Sequence, residues 1–309
     1  MSAAVRPAFE ISPAGAFTLR ASADFIGAWH EAPSEGHADG GHLHLAFLTD
    51  AGWKPVGVCL TQSADSHVHG EVYGDATAPE VQAKVARILS LDVDGSGWPD
   101  VGLRDPVVGS LQRKFPGFRP VNWSDAYEAA AWCLISSRVS MRQGQGVKDR
   151  LSREIGHEVD IHGHRMWAFP APSRLVELES FRGLFGRKLE YLNKLGKAAL
   201  ADWLDTERLR AMPPEECLVE LRRLPGIGEW GAQLIRLRAL SAVDEMPTTE
   251  RRLLAVLREA YGLEREPDVA TLEGLSEGWS PYRMWVCVCL RRSGGEGAGM
   301  MHSRASFAN

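Results

Sequence analysis

The stretch LRRLPGIGEWGAQLIRLRAL (residues 221–240) reads as one helix running into Leu224-Pro225-Gly226-Ile227-Gly228 and a second helix starting near Glu229. Two glycines flanking one apolar residue allow a tight hairpin, and without Cβ atoms Gly226 and Gly228 let another backbone come close. The first amides of the second helix favour an anion. That combination grips a phosphodiester without reading its sequence. Leu221, Leu224, Ile227 and Leu234 are spaced to pack the two helices together. A GxG pair alone is equally what an ordinary packed helix–helix turn needs. The longer pattern, LPGIG followed by Trp230, Ala232 and an apolar helix, is more specific.

Working outward, helical spacing fits 143–155, 173–180, 186–203, 206–211, 214–223, 229–240, 249–261 and 279–292. An earlier helix follows Ser124 or Asp125 as N-cap, with Glu128 in the first turn and Ala131, Leu134, Ile135 and Val139 as its apolar stripe. Toward the N-terminus the period changes. FTLRAS (17–22), HLHLAFL (42–48) and VGVCLTQ (56–62) read as strands separated by Gly, Asp and Ser, and 79–91 reads as a helix. The Gly/Pro/Asp-rich run 92–106 and FPGFRPVNW (115–123) read as loop and linker. The expected architecture is therefore α+β: a small sheet-containing unit over 1–115, a mostly helical unit over 116–292 and a disordered tail over 293–309.

Composition sets limits. The 309 residues include 44% hydrophobic and 24% charged side chains, a globular profile with no run long enough to span a membrane. The N-terminus has no apolar signal core, so the expected compartment is the cytoplasm. Cys59, Cys133, Cys217, Cys287 and Cys289 are scattered, with no CxxC pair, which predicts reduced thiols. Residues 1–120 carry 14 acidic and 9 basic side chains and residues 121–309 carry 26 of each, so all of the net charge of −5 lies in the first part. The second part is free to carry a local basic face. The arginine pairs at 222–223, 251–252 and 291–292 are phosphate-contact candidates, each equally readable as a solvated face. Six histidines crowd the first part: His30, His37, His42, His44, His67 and His69. His42 and His44 share a strand face that suits a metal, but spacing fixes no acidic or Cys partner, and His162 and His164 flank Gly163 at a turn. Surface histidines are the plainer reading.

The hairpin resembles the helix-hairpin-helix of base-excision DNA glycosylases. Further blocks, DAYEAAAWCLISSRVS (125–140), FPAPSRL (169–175), GRKLEYLNKLGKAAL (186–200), DEMPTTERRL (244–253) and GWSPYRMWVCVCLRR (278–292), resemble the alkyl-base branch, DNA-3-methyladenine glycosylase II, in order and spacing. The resemblance covers roughly residues 100–292, and the family has a sheet-containing N-terminal domain where this chain has its α+β part.

The resemblance implies a monofunctional enzyme that hydrolyses the N-glycosidic bond of alkylated purines in damaged double-stranded DNA, acting as a monomer and away from membranes. The alternative is a non-catalytic helix-hairpin-helix protein that senses distorted DNA. The transition state of such hydrolysis is oxocarbenium-like, so a carboxylate is needed beside the sugar. The family places an aspartate twenty residues beyond the Trp230 position, where this chain has Glu250. The extra methylene shifts the carboxylate by roughly 1.5 Å, and misplacement on that scale costs on the order of 10²-fold in rate. An ordinary first-turn glutamate behind a Thr249 cap is the competing reading, and Asp244 and Glu245 are nearby alternative carboxylates. Trp230 stands where bifunctional relatives carry a Schiff-base lysine, so no lyase activity is expected. By resemblance Trp230, Leu234 and Trp132 line the base pocket, while Gly226, Ile227, Gly228, Ser137 and Arg138 contact DNA. Arg138 takes the position of an apolar wedge, and Arg291 replaces an aromatic near the end of the last helix. The family's hairpin holds Na⁺ or K⁺ through main-chain carbonyls, here by position those of Arg222, Leu224 and Ile227. With no cysteine after Leu290, no iron–sulfur cluster is expected, nor any other cofactor.

Overall fold

The computed structural model describes residues 6–29, 36–248 and 250–294. In chain order the elements of the first part are β1 (Ala8–Ile11), α1 (Leu19–Trp29), β2 (Gly36–Asp39), β3 (His42–Leu48), β4 (Pro55–Gln62), β5 (Val68–Gly74), α2 (Ala78–Ile88), α3 (Trp98–Arg104) and α4 (Pro106–Lys114). They are followed by α5 (Ala126–Ser136), α6 (Met141–Ile155), β6 (His157–Ile161), β7 (His164–Ala168), α7 (Pro172–Val176), α8 (Lys188–Leu200) and α9 (Thr206–Ala211). The last are α10 (Pro214–Arg222), α11 (Glu229–Arg238), α12 (Arg251–Tyr261), α13 (Val269–Glu277) and α14 (Arg283–Ser293). The α+β expectation is met at the level of a largely helical chain with a small antiparallel sheet. From residue 295 the expected tail lies outside the described residues, as does His30. Among the described residues no helix is long and apolar enough to cross a membrane.

The sheet is antiparallel, ordered β1-β5-β4-β3-β2. One face buries Leu43, Leu45, Phe47, Val58, Leu60 and Val72 in the main core. The other face, with Ala46, Leu48, Cys59 and Tyr73, is covered by Ile161, Met166 and Ala168 of the β6–β7 hairpin. At Gly57 a Cβ would meet Ile161 at 2.7 Å, so only glycine lets the hairpin sit this close. The hairpin was not read from the sequence. Its strands are only five residues each, too short for a period of two to stand out.

Helix α5 is buried on nearly every side, which its apolar circumference requires. Asp125 caps it as expected, accepting from the Glu128 amide at 2.8 Å. The other Asp125 oxygen takes the buried Lys84 ammonium of α2 at 3.0 Å, and Lys84 also reaches Asp50 at 2.8 Å. Lys148 of α6 pairs with Glu128 at 2.7 Å. These ion pairs tie sheet, α2, α5 and α6 into one body.

Three readings are corrected. FTLRAS (17–22) is not a strand but the start of α1. Its apparent period of two breaks once the chain continues to Trp29, because Leu19, Ser22, Phe25 and Ile26 then fall on one buried helical face. The run 92–106 is not all loop: Pro99 and Pro106 sit at helix starts, where their missing N–H groups cost nothing, and begin α3 and α4. The 115–123 segment is irregular but is no free linker. Arg119 is fully buried and donates to the carbonyls of Ala16 (3.2 Å), Ser90 (3.1 Å), Val93 (3.0 Å) and Ala14.

Candidate functional site

Helices α10 and α11 form the expected hairpin, and Leu221, Leu224, Ile227 and Leu234 are all buried in it. The turn closes with the Ile227 amide donating to the Leu224 carbonyl at 3.0 Å. Gly226 has φ +89°, in the left-handed region that favours glycine, and a Cβ there would meet Tyr191 at 2.5 Å and Leu134 at 2.6 Å. Helices α5 and α8 therefore hold the turn in shape from behind. Gly228 is the N-cap of α11, has no side-chain cap, and faces open space where a Cβ would point. The first-turn amides of α11 thus begin at an exposed, uncapped end, the electropositive end of the helix.

Arg138 sits just past the end of α5, exposed, with φ +56°. An arginine in that region is strained, a state that persists only where the surroundings impose it. The Ser137 hydroxyl bends back to the Leu134 carbonyl at 2.9 Å and so serves its own helix end.

Glu250 is 1% exposed and is itself the N-cap of α12, its carboxylate accepting from the Arg252 amide at 3.2 Å. It is thus the cap, not a first-turn residue behind Thr249, which lies outside the described residues. Glu250 lines a cavity of about 20 Å³ with Arg238, Arg291, Leu237, Cys287 and Met284, room for roughly one water. Arg238 and Arg291 are both buried, and burial pushes the Arg238 guanidinium down to about 10. Arg238 also donates to the Val121 carbonyl at 2.5 Å. Glu250 thus shares a buried, largely apolar cavity with two buried guanidiniums.

Trp230 is half-buried against the core, and its buried indole N–H finds no acceptor among the described residues. It is not among the residues lining the Glu250 cavity. The reason is axial. Trp230 lies in the first turn of α11, whereas the cavity begins at Leu237, seven residues and about 10 Å further along the helix. Trp132 and Leu234 are fully buried, and Trp132 stacks on Trp123 at 5.8 Å, so both belong to the packing in this conformation.

The alternative carboxylates are held by arginines. Glu245 takes Arg236 through two nitrogens (2.8 and 2.6 Å), and Asp244 pairs with Arg283 at 2.7 Å. Both line an open cavity of about 640 Å³ beside the hairpin, with Arg222 and Gln233. Gln233 fastens this loop to α11 through the Thr248 hydroxyl (2.8 Å) and amide (3.2 Å). The sequence reading missed Tyr191 and Leu134 as the lock on Gly226, and Arg238 as a companion of Glu250. The helical spacing of Leu234, Leu237 and Arg238 on one inward face was the available signal for the last.

No family model matches the chain. A DNA-3-methyladenine glycosylase of Bacillus subtilis is 21% identical over 217 residues, covering 69% of this chain and 72% of that protein. DNA-3-methyladenine glycosylase 2 of Escherichia coli is 24% identical over 229 residues, covering 71% and 74%. Among solved structures, a 3-methyladenine DNA-glycosylase from Archaeoglobus fulgidus superposes with a TM-score of 0.75 at 18% identity, over 92% of this chain and 96% of that one. The chain has the fold of the helix-hairpin-helix DNA glycosylase superfamily and resembles DNA-3-methyladenine glycosylase II.

Proposed function

We propose that this protein is a monofunctional DNA glycosylase acting on alkylated purines in duplex DNA. The observation that carries the reading is the hairpin: a turn fixed at Gly226, followed by the uncapped N-terminus of α11 open at Gly228. That end binds a phosphate through backbone amides, which positions DNA without selecting its sequence. Arg138 at its strained turn fills the gap left by an extruded nucleotide or contacts phosphate. A Na⁺ or K⁺ ion at the hairpin would take the carbonyls of Arg222, Leu224 and Ile227. The Leu224 carbonyl already accepts one amide and keeps a second lone pair for such a role.

The damaged base leaves the stack, and the sugar gains positive charge as the glycosidic bond breaks. Glu250 is the carboxylate that stabilises this charge. Its burial keeps water from screening it. An alkylated base is electron-poor, so the face of Trp230 suits it. Position 230 offers no amine, so the sugar is not trapped as a Schiff base and the strand is left uncut. Admission of the nucleoside requires the 242–250 segment to move off α11, which breaks the two Gln233–Thr248 hydrogen bonds.

The test is release of methylated bases from alkylated duplex DNA by the native protein and by Glu250→Gln. The expected result is release by the native protein and loss of about 10² or more in the variant, with binding to an abasic-analogue duplex retained. Equal release by both removes Glu250 from the chemistry. Binding without any release by the native protein leaves a damage-sensing protein instead.

A further inference from the structure

On the outer face of the sheet, the strand registers align a row of side chains suited to metals. His44 of β3 stands opposite Cys59 of β4, and Cys59 stands opposite Glu71 of β5. His42 is two residues before His44 and shares its face. The turn of the β6–β7 hairpin then brings His162 and His164 over the row. The His44 ring lies 5.0 Å from that of His164 and 5.9 Å from that of His162, and the His42 ring is 6.3 Å from His162. Four imidazoles and a thiol from three separate chain segments thus lie near one another on this face.

The geometry already approaches a coordination sphere. Ligand atoms of His42, His44 and Cys59 all lie within 4.8 Å of one another, and His42 Nδ1 is 3.2 Å from Cys59 Sγ. Two ligands of a tetrahedral zinc with one nitrogen and one sulfur sit about 3.5 Å apart, so small rotations of the imidazoles suffice. His44 and Cys59 are buried while His42 is exposed, which leaves an approach from solvent. His162 turns both ring nitrogens toward the Tyr73 hydroxyl, Nε2 at 2.7 Å and Nδ1 at 3.0 Å, with Glu71 3.6 Å from Nε2, so its ring has to rotate before it can ligate.

We propose that His42, His44 and Cys59 bind a zinc ion, with a histidine of the β6–β7 turn, His162 or His164, as fourth ligand. Imidazole and thiolate are the donors that zinc prefers, and a closed four-ligand set is structural. The ion pins the hairpin that follows α6 onto the sheet of the first part, so metal binding adds to folding stability.

The experiment uses the full chain without a polyhistidine tag. Zinc is measured in the purified protein, then exchanged for Co²⁺, whose thiolate charge-transfer and tetrahedral ligand-field bands report the donor set. The expected result is about one metal per chain, a thiolate band in the native protein, and Co²⁺ affinity weakened by about 100-fold or more in Cys59→Ala and in His44→Gln. Absence of a thiolate band in the native protein overturns the site. So does unchanged Co²⁺ affinity in either variant. Because the native titration decides alone, a variant that fails to fold does not rescue the idea.

Discussion

The two ends of α11 solve opposite problems with the same helix. At its start, Gly226 and Gly228 make a surface out of backbone, open to solvent and independent of side-chain charge. At its end, Arg238 and Leu237 help seal Glu250 into a cavity large enough for about one water, where a carboxylate is buried with two arginines among apolar side chains. The contrast teaches that a binding surface made of amides tolerates little change in shape, while a buried carboxylate tolerates little change in charge.

The sharpest break of that contrast is Glu250→Ala. The change removes a buried carboxylate from the cavity it shares with Arg238 and Arg291 and the cap from α12, and stability should fall by about 3–5 kcal/mol. Denaturant unfolding measures this; an unchanged midpoint would mean that Arg238 and Arg291 are neutralised elsewhere. Next is Gly226→Ala, which puts a Cβ at a left-handed φ and into Tyr191 and Leu134. The expected loss is about 2 kcal/mol, together with weaker DNA binding by fluorescence anisotropy. Gln233→Ala removes both hydrogen bonds from the Thr248 segment and should cost about 1 kcal/mol; faster amide exchange over 246–250 is its signature. The smallest effect on stability belongs to Gly228→Ala, within about 0.5 kcal/mol, because its Cβ meets nothing. Its DNA affinity should nevertheless drop, since the methyl group would stand where the proposed binding mode seats a phosphate. A Gly228→Ala variant that binds DNA like the native protein would place the contact elsewhere.

The hairpin was legible because its requirement is local: two glycines, a proline and apolar residues at helical spacing suffice. The cap at Asp125 was legible for the same reason. Glu250 was singled out by its offset from Trp230, but its surroundings were not, because Arg238 and Arg291 come from different helices and join its cavity only in three dimensions. The strand misread at 17–22 shows the limit of a six-residue window, which holds fewer than two helical turns. The histidines of the first part illustrate the same limit. His42 and His44 shared a strand face on paper, but Cys59 joined them only through strand register, and His162 and His164 only through a hairpin more than a hundred residues downstream.

That hairpin has a consequence for synthesis. The sheet is complete once β5 has emerged, yet its outer face receives Ile161, Met166 and Ala168 only some ninety residues later. At about 5–20 residues per second on the ribosome, the nascent chain spends several seconds with Ala46, Leu48 and Tyr73 uncovered. Chaperone dependence during translation should therefore track the arrival of β6 and β7 and not the completion of the strands themselves.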